Sequence, residues 1–136
     1  MWAWSRGWRH FYRRALPAYW IFLFVSTHLP KLDLPGPRES DKLAHATAFA
    51  ALAFFFWKFH ESFGRPLRER FVWQAAAWLV AYAAVDEYLQ QFVGRRAGVD
   101  DWLANVTGVA LVLGVLEWLR RRQLARIASA GASEKP

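Results

Sequence analysis

The sequence predicts an all-α membrane protein, a bundle of four transmembrane helices with both termini in the cytoplasm. Three observations support this prediction. The 136-residue chain is 55% hydrophobic and 18% aromatic, which is unusually apolar for its length. Its hydrophobic residues fall into four runs, each near the length that a bilayer requires. Its 18 Lys and Arg residues border those runs instead of forming one stripe, which argues against nucleic-acid binding.

The four runs cover residues 16–29, 43–59, 71–92 and 101–119. The first is short unless its helix begins near Phe11, where the neighbouring arginines can reach the membrane interface. A Pro/Gly-rich connector, a charged loop (58–70) and a tight turn (94–98) separate the runs. We therefore expect a cationic, Trp-rich arm (1–14), a membrane domain (15–120) and a basic tail (121–136) that is disordered after Arg126.

The distribution of positive charge predicts the orientation of the helices. All Lys and Arg residues except Lys31, Arg38, Lys42, Arg95 and Arg96 lie in the N-terminal arm, in the loop 58–70 or in the C-terminal segment. Under the positive-inside rule these three regions are cytoplasmic, and the other two connectors face outward. Tryptophans at the predicted helix ends support this orientation, because indole rings prefer the membrane interface: Trp57, Trp73 and Trp118 inside, Trp102 outside.

A soluble four-helix bundle with an aromatic core is the alternative fold. Each helix of such a bundle would need a polar stripe facing water. The run 44–57 has only His45 and Thr47 as polar side chains, so it has almost no such stripe. The membrane interpretation is therefore favoured.

Three polar motifs stand at the predicted outer ends of the helices. The second helix begins with Asp41-Lys42-x-x-His45, whose acid and imidazole share a helical face. The third helix ends with Asp86-Glu87-x-x-Gln90, and Arg95 and Arg96 follow it. The fourth helix begins with Asp101-x-x-x-Asn105-x-x-Gly108, a single stripe on which the glycine permits close helix packing. Because the helices alternate in direction, we expect these motifs to converge at one membrane face.

Two interpretations of this convergence remain open. In the structural one, Lys42, Arg95 or Arg96 forms ion pairs with Asp86 and Glu87, because ionisable groups at membrane depth are costly unless paired. In the functional one, these cations hold a phosphate or carboxylate while His45 and a carboxylate handle protons. A metal site built from His45, Asp41 and Glu87 has only a weak signature, and we predict neither a metal nor a cofactor. Asp100 is interpreted as a helix cap.

In order and spacing, these motifs resemble those of the VanZ-like membrane proteins, a family named for an accessory protein of glycopeptide resistance. The resemblance covers about residues 30–114, and the first helix matches only in being apolar. It implies a multi-pass protein of the bacterial cytoplasmic membrane with a link to the cell envelope and to glycopeptide resistance. This chain departs from the family at the turn Val93-Gly94-Arg95, where the family often has a proline before Gly-Arg.

Three classes of function are compatible with these residues. In the favoured class, Lys42, Arg95 and Arg96, with Asp86, Gln90, Asp101 and Asn105, bind an anionic lipid-linked or cell-wall-related ligand. The second class is a membrane hydrolase or transferase of a lipid-linked substrate, in which His45 is the general acid or base beside Asp41 and Glu87. The third is a structural partner in a membrane complex. Expected partners are membrane lipids and a lipid-linked precursor or glycopeptide, while nucleic acid is not expected; homo-oligomers are left open.

Overall fold

The computed structural model describes residues 6–29, 38–64, 67–94 and 98–133, and the regular structure in these ranges is helical. Helix α1 spans Arg6–His28, α2 spans Arg38–Glu61, α3 spans Phe71–Gln90 and α4 spans Val99–Ser133. A short 3-10 turn, Gln91–Val93, follows α3, and Gly94 ends it with a left-handed φ of 77°. The prediction of an all-α fold with four helices is confirmed.

The outer bounds of the bundle differ from those predicted. Helix α1 begins ten residues before its apolar run, at Arg6, and carries Pro17 in its interior. Helix α4 continues to Ser133, so the expectation of disorder after Arg126 is wrong for the residues up to that point. The last part of α4 is rich in alanine, which has the highest intrinsic helix propensity. Local propensity therefore extends the helix beyond the apolar segment.

The core lies between α2, α3 and α4, with α1 packed against one side. Its innermost apolar side chains come from all three central helices: Phe49, Leu52, Leu79, Val109 and Leu113. Aromatic contacts attach α1, such as the edge-to-face pair of Trp20 and Tyr82, whose ring centroids are 4.9 Å apart. Trp57, which we expected at the membrane interface, is 2% exposed and belongs to this core, because it packs against Phe71.

Gly108 allows α2 and α4 to pack closely. A Cβ atom at this position would overlap the backbone carbonyl of Ala46 on α2. Backbone carbonyls cannot move aside as the end of a flexible side chain can. The predicted role of Gly108 in close helix packing is confirmed, and the contact brings the polar stripe of α4 next to the start of α2.

Much of the outside of the bundle is apolar. Half or more of each of the following side chains is exposed: Ile21, Phe22, Leu43, Trp73, Trp78, Val85, Leu103, Leu111 and Val115. Among the described residues, Val99–Ala130 is the one segment long and apolar enough to cross a membrane by length and composition, and only 28% of its most apolar window is buried. The core helix of a soluble protein would be mostly buried. Exposed apolar surface of this extent is typical of a membrane or protein interface.

Basic side chains form hydrogen bonds at the end of the bundle where α1 begins and α2 ends. Glu117 accepts hydrogen bonds from Arg120 at 2.7 and 2.8 Å and from Arg121 at 2.6 Å. Arg13 of α1 donates to the hydroxyl and the carbonyl of Ser62, just after α2, at 3.3 and 3.2 Å. The Arg13 contact connects α1 to the end of α2, whereas the Glu117 contacts lie within α4.

Candidate functional site

Polar contacts bring four helix ends together at the other end of the bundle. Thr27, near the end of α1, contacts Asp86 on α3. His45, in the early turns of α2, contacts Asn105 on α4. Glu87 on α3 contacts the backbone of Gly98, just before α4. The end of α1, the start of α2, the end of α3 and the start of α4 therefore meet, as the alternating direction of the helices requires.

The first group of polar residues lies between α2, α3 and α4. We call Asp41, His45, Glu87, Asp101 and Asn105 the central polar cluster. The Nδ1 atom of His45 lies 3.2 Å from the Oδ1 atom of Asn105. Asn105 is fully buried, and its Nδ2 atom has no hydrogen-bond partner among the described residues. A buried amide whose NH2 group makes no hydrogen bond is uncommon in a protein core.

Glu87 enters the same cluster from α3. Its Oε1 atom accepts a hydrogen bond of 2.8 Å from the backbone N–H of Gly98. The residue is only 5% exposed, and its buried Oε2 atom has no hydrogen-bond partner among the described residues. His45, Asp101 and Asp86 all lie close enough to act electrostatically on this carboxyl group. The unused oxygen therefore belongs to a region that already holds an imidazole and a second carboxylate.

The remaining two carboxylates of the central polar cluster lie beside His45. One potential donor atom from each of Asp41, His45 and Asp101 lies within 4.8 Å of the other two. His45 is 7% exposed, and both aspartates are partly buried. Asp41 and His45, which we predicted to share a face of α2, thus lie close together. Asp101 of α4 lies beside both of them.

Asp86 faces a second group of residues, between α1 and α3. We call Thr27, His28, Tyr82, Asp86 and Gln90 the lateral polar cluster. Asp86 is fully buried and accepts hydrogen bonds from Thr27 at 3.2 Å, from Tyr82 at 3.4 Å and from Gln90 at 3.1 Å. The Nδ1 atom of His28 lies 3.9 Å from the same carboxylate. The structure therefore gives Asp86 neutral hydroxyl and amide donors.

The predicted cations occupy the rim or lie outside the described residues. Lys42 forms an exposed ion pair with Asp100, with Nζ 2.9 Å from Oδ2. Asp100, which we interpreted as a cap, thus also contacts α2. Arg95 and Arg96 lie outside the described residues, so their predicted pairing with Asp86 or Glu87 stays a prediction.

Sequence reasoning missed Thr27, His28 and Tyr82 as partners of Asp86. A signal was present for the first two, because they are consecutive polar residues at the end of an apolar helix. That helix end lies at the same end of the bundle as the recognised motifs. Tyr82 lies one helical turn before Asp86, a spacing that places both on one face of α3.

These features define a small helical protein that has an apolar exterior and a buried polar site at one end of its bundle. The sequence profile described as VanZ/LLP1 matches residues 4–120, so the chain belongs to the VanZ/LLP1 family. The match includes the first helix, which the motifs alone left unassigned. No curated protein and no solved structure matched the chain. Family membership and the apolar α4 together indicate association with a membrane.

Proposed function

We propose that the four helices all cross the bacterial cytoplasmic membrane, with both termini inside and the polar clusters at the outer face. The apolar exterior supports this arrangement, since Leu43, Trp78 and Leu111 on three different helices expose most of their side chains. The Arg-rich end would then face the cytoplasm, as the positive-inside rule requires. The polar end would lie near the outer head groups.

Within this arrangement, the protein binds the anionic head group of a lipid-linked envelope component. The observation that carries this proposal is a buried polar cluster, built from three helices, beside a half-exposed cation. Lys42 has 48% of its side chain exposed, so it can contact a ligand at the rim. Arg95 and Arg96 follow α3 closely in the sequence. Guanidinium groups bind phosphate through bidentate hydrogen bonds.

Binding is tested with a polyprenyl phosphate and the uncharged polyprenol of equal length. The purified full-length protein in detergent is titrated with each lipid and observed by native mass spectrometry. We expect adducts with the phosphate only, and weaker binding after Lys42, Arg95 and Arg96 are changed together to Gln. Arg122→Gln is the matched control, because Arg122 stacks on Trp118 at the opposite end of the bundle. Equal binding of both lipids, or equal loss in the control, would contradict the proposal.

A membrane enzyme is the second candidate. It is favoured by the buried imidazole of His45, which has two carboxylates beside it. Against it, the chain has no cysteine, and His45 pairs with an amide instead of a hydroxyl. Turnover of a lipid phosphoester or acyl bond by the purified protein, abolished in His45→Ala, would establish this activity and replace the binding proposal.

The proposed ligand also predicts a cellular effect. If the bound component is a cell-wall precursor, expression of the protein should change the concentration of glycopeptide antibiotic that inhibits growth. The Arg122→Gln variant should act like the unaltered protein, and the triple Gln variant should not. Identical inhibitory concentrations with and without the protein would separate lipid binding from resistance.

A further inference from the structure

We propose that the central polar cluster binds one divalent cation of the first transition series, with Asp41, His45, Asp101 and Glu87 as its ligands. This inference goes beyond the proposed binding of an anionic head group and does not depend on it. It rests on the arrangement of donor atoms, on the tautomer of His45 and on the unused oxygen of Glu87.

Three of the four proposed ligands have donor atoms separated by little more than a shared ion requires. Potential ligand atoms of Asp41, His45 and Asp101 all lie within 4.8 Å of one another. Two ligands bound to one ion at about 2.1 Å each can be at most about 4.2 Å apart. Small side-chain rotations close this difference. No movement of the helices is required, because the contact at Gly108 already holds α2 against α4.

The amide of Asn105 prepares His45 for this role. With the amide oxygen as acceptor, the imidazole donates its Nδ1 proton to Asn105 across 3.2 Å. Neutral imidazole then carries its lone pair on Nε2, which is the form that binds a metal. Metal-binding histidines in proteins almost always use their other ring nitrogen for such a hydrogen bond. Asn105 is thus a positioning residue for a ligand.

Gly98 connects Glu87 to Asp101. Its N–H holds the Oε1 atom of Glu87 at 2.8 Å. A Cβ added to Gly98 would lie 3.1 Å from the Oδ2 atom of Asp101, so the two carboxylates approach the same residue. The Oε2 atom of Glu87 is buried and has no partner among the described residues. A cation would give this oxygen the partner that a buried polar atom requires.

The donor set indicates the class of metal. Imidazole nitrogen favours Zn²⁺ and its neighbours in the transition series, while several carboxylate oxygens also suit Mn²⁺. A set of one nitrogen and three carboxylates is poorer for Mg²⁺ and Ca²⁺, which prefer oxygen alone. We therefore expect Mn²⁺ and Zn²⁺ to compete for the same site, and Mg²⁺ to bind more weakly.

Binding is measured with Mn²⁺ as the probe. The full-length protein in detergent is treated with a chelator, freed of it and titrated with Mn²⁺, while electron paramagnetic resonance reports the free ion. We expect saturation at one ion per chain, displacement by Zn²⁺, and pulsed-resonance coupling of bound Mn²⁺ to an imidazole nitrogen. Asp101→Asn should weaken binding at least about tenfold. Asp100→Asn should not, because the carboxylate of Asp100 itself pairs with Lys42 at the rim.

Three results would contradict the proposal. Absence of saturable Mn²⁺ binding by the unaltered protein would overturn it. So would equal weakening in the Asp100→Asn and Asp101→Asn variants, with helix content checked by circular dichroism. If only a variant lacking Arg95 and Arg96 binds Mn²⁺, a guanidinium group occupies the cluster and the metal assignment is wrong. The variant His45→Gln should lose the nitrogen coupling. If this variant fails to fold, the coupling in the unaltered protein still tests the imidazole ligand.

Discussion

Asp86 and Glu87 are neighbours in the chain, but their carboxyl groups belong to different polar clusters. Asp86 turns towards α1, where it accepts hydrogen bonds from hydroxyl and amide groups, while Glu87 turns towards α4 and contacts Gly98. Consecutive residues on a helix point about 100° apart, so α3 can supply one acid to each side. The third helix therefore separates two polar environments that the motif alone suggests are one.

The separation of the clusters predicts a pattern of energetic coupling. Thr27→Val and Asp86→Asn should each destabilise the protein, and the pair should couple by about 0.5–1.5 kcal/mol because their side chains are in contact. Thr27→Val and Asp101→Asn should add within about 0.5 kcal/mol. Unfolding of the detergent-solubilised variants by denaturant measures both cycles. Coupling of similar size in the two cycles would mean that the clusters form a single network.

Close packing at Gly108 predicts a large effect of a single methyl group. Gly108→Ala should lower the free energy of unfolding by several kcal/mol, or prevent folding, because the new Cβ would overlap the Ala46 carbonyl. Gly114→Ala is the matched control on the same helix. A Cβ there meets nothing within 4 Å, so the higher helix propensity of alanine should stabilise the protein by up to about 1 kcal/mol. Equal unfolding midpoints for the two variants would place the helix contact elsewhere.

Arg13 links α1 to the end of α2 through the geometry of its guanidinium group. Arg13→Lys should cost about 1 kcal/mol, because an ammonium group cannot reproduce both hydrogen bonds to Ser62 or the stacking on Phe63. The change conserves charge, so it isolates geometry. Arg14→Lys, at an exposed position on the same helix, should have almost no effect on thermal unfolding. Similar losses in both variants would argue against a specific role for the Ser62 contact.

The proposed topology predicts which positions are accessible from outside the cell. A reporter fused after Pro136 should be active only in the cytoplasm, and a cysteine replacing Arg65 should resist membrane-impermeant thiol reagents in intact cells. A cysteine replacing Lys31 should react, since it lies in a connector on the predicted outer side. The native chain has no cysteine, so labelling reports each introduced position alone. Labelling at Arg65 with protection at Lys31 would reverse the orientation.

The helical fold could be predicted from the sequence, because its apolar runs are separated by segments with proline, glycine and charge that end helices. The sequence also predicted the close packing at Gly108, which is confirmed, and the convergence of His45, Glu87, Asp101 and Asn105, since ionisable groups beside apolar runs are costly unless paired. The sequence did not lead us to predict the end of α4, where alanine-rich residues continue the helix beyond the apolar segment.

Which polar groups contact one another could not be predicted without the packing of the helices. Helical spacing relates residues on one helix, but contacts between helices depend on how each helix is rotated about its axis. The packing of α1 brings Thr27 to Asp86, and the packing of Gly108 on Ala46 brings Asn105 to His45. The rotation of each helix depends on the side-chain volumes of the whole core. A single sequence motif does not carry this information.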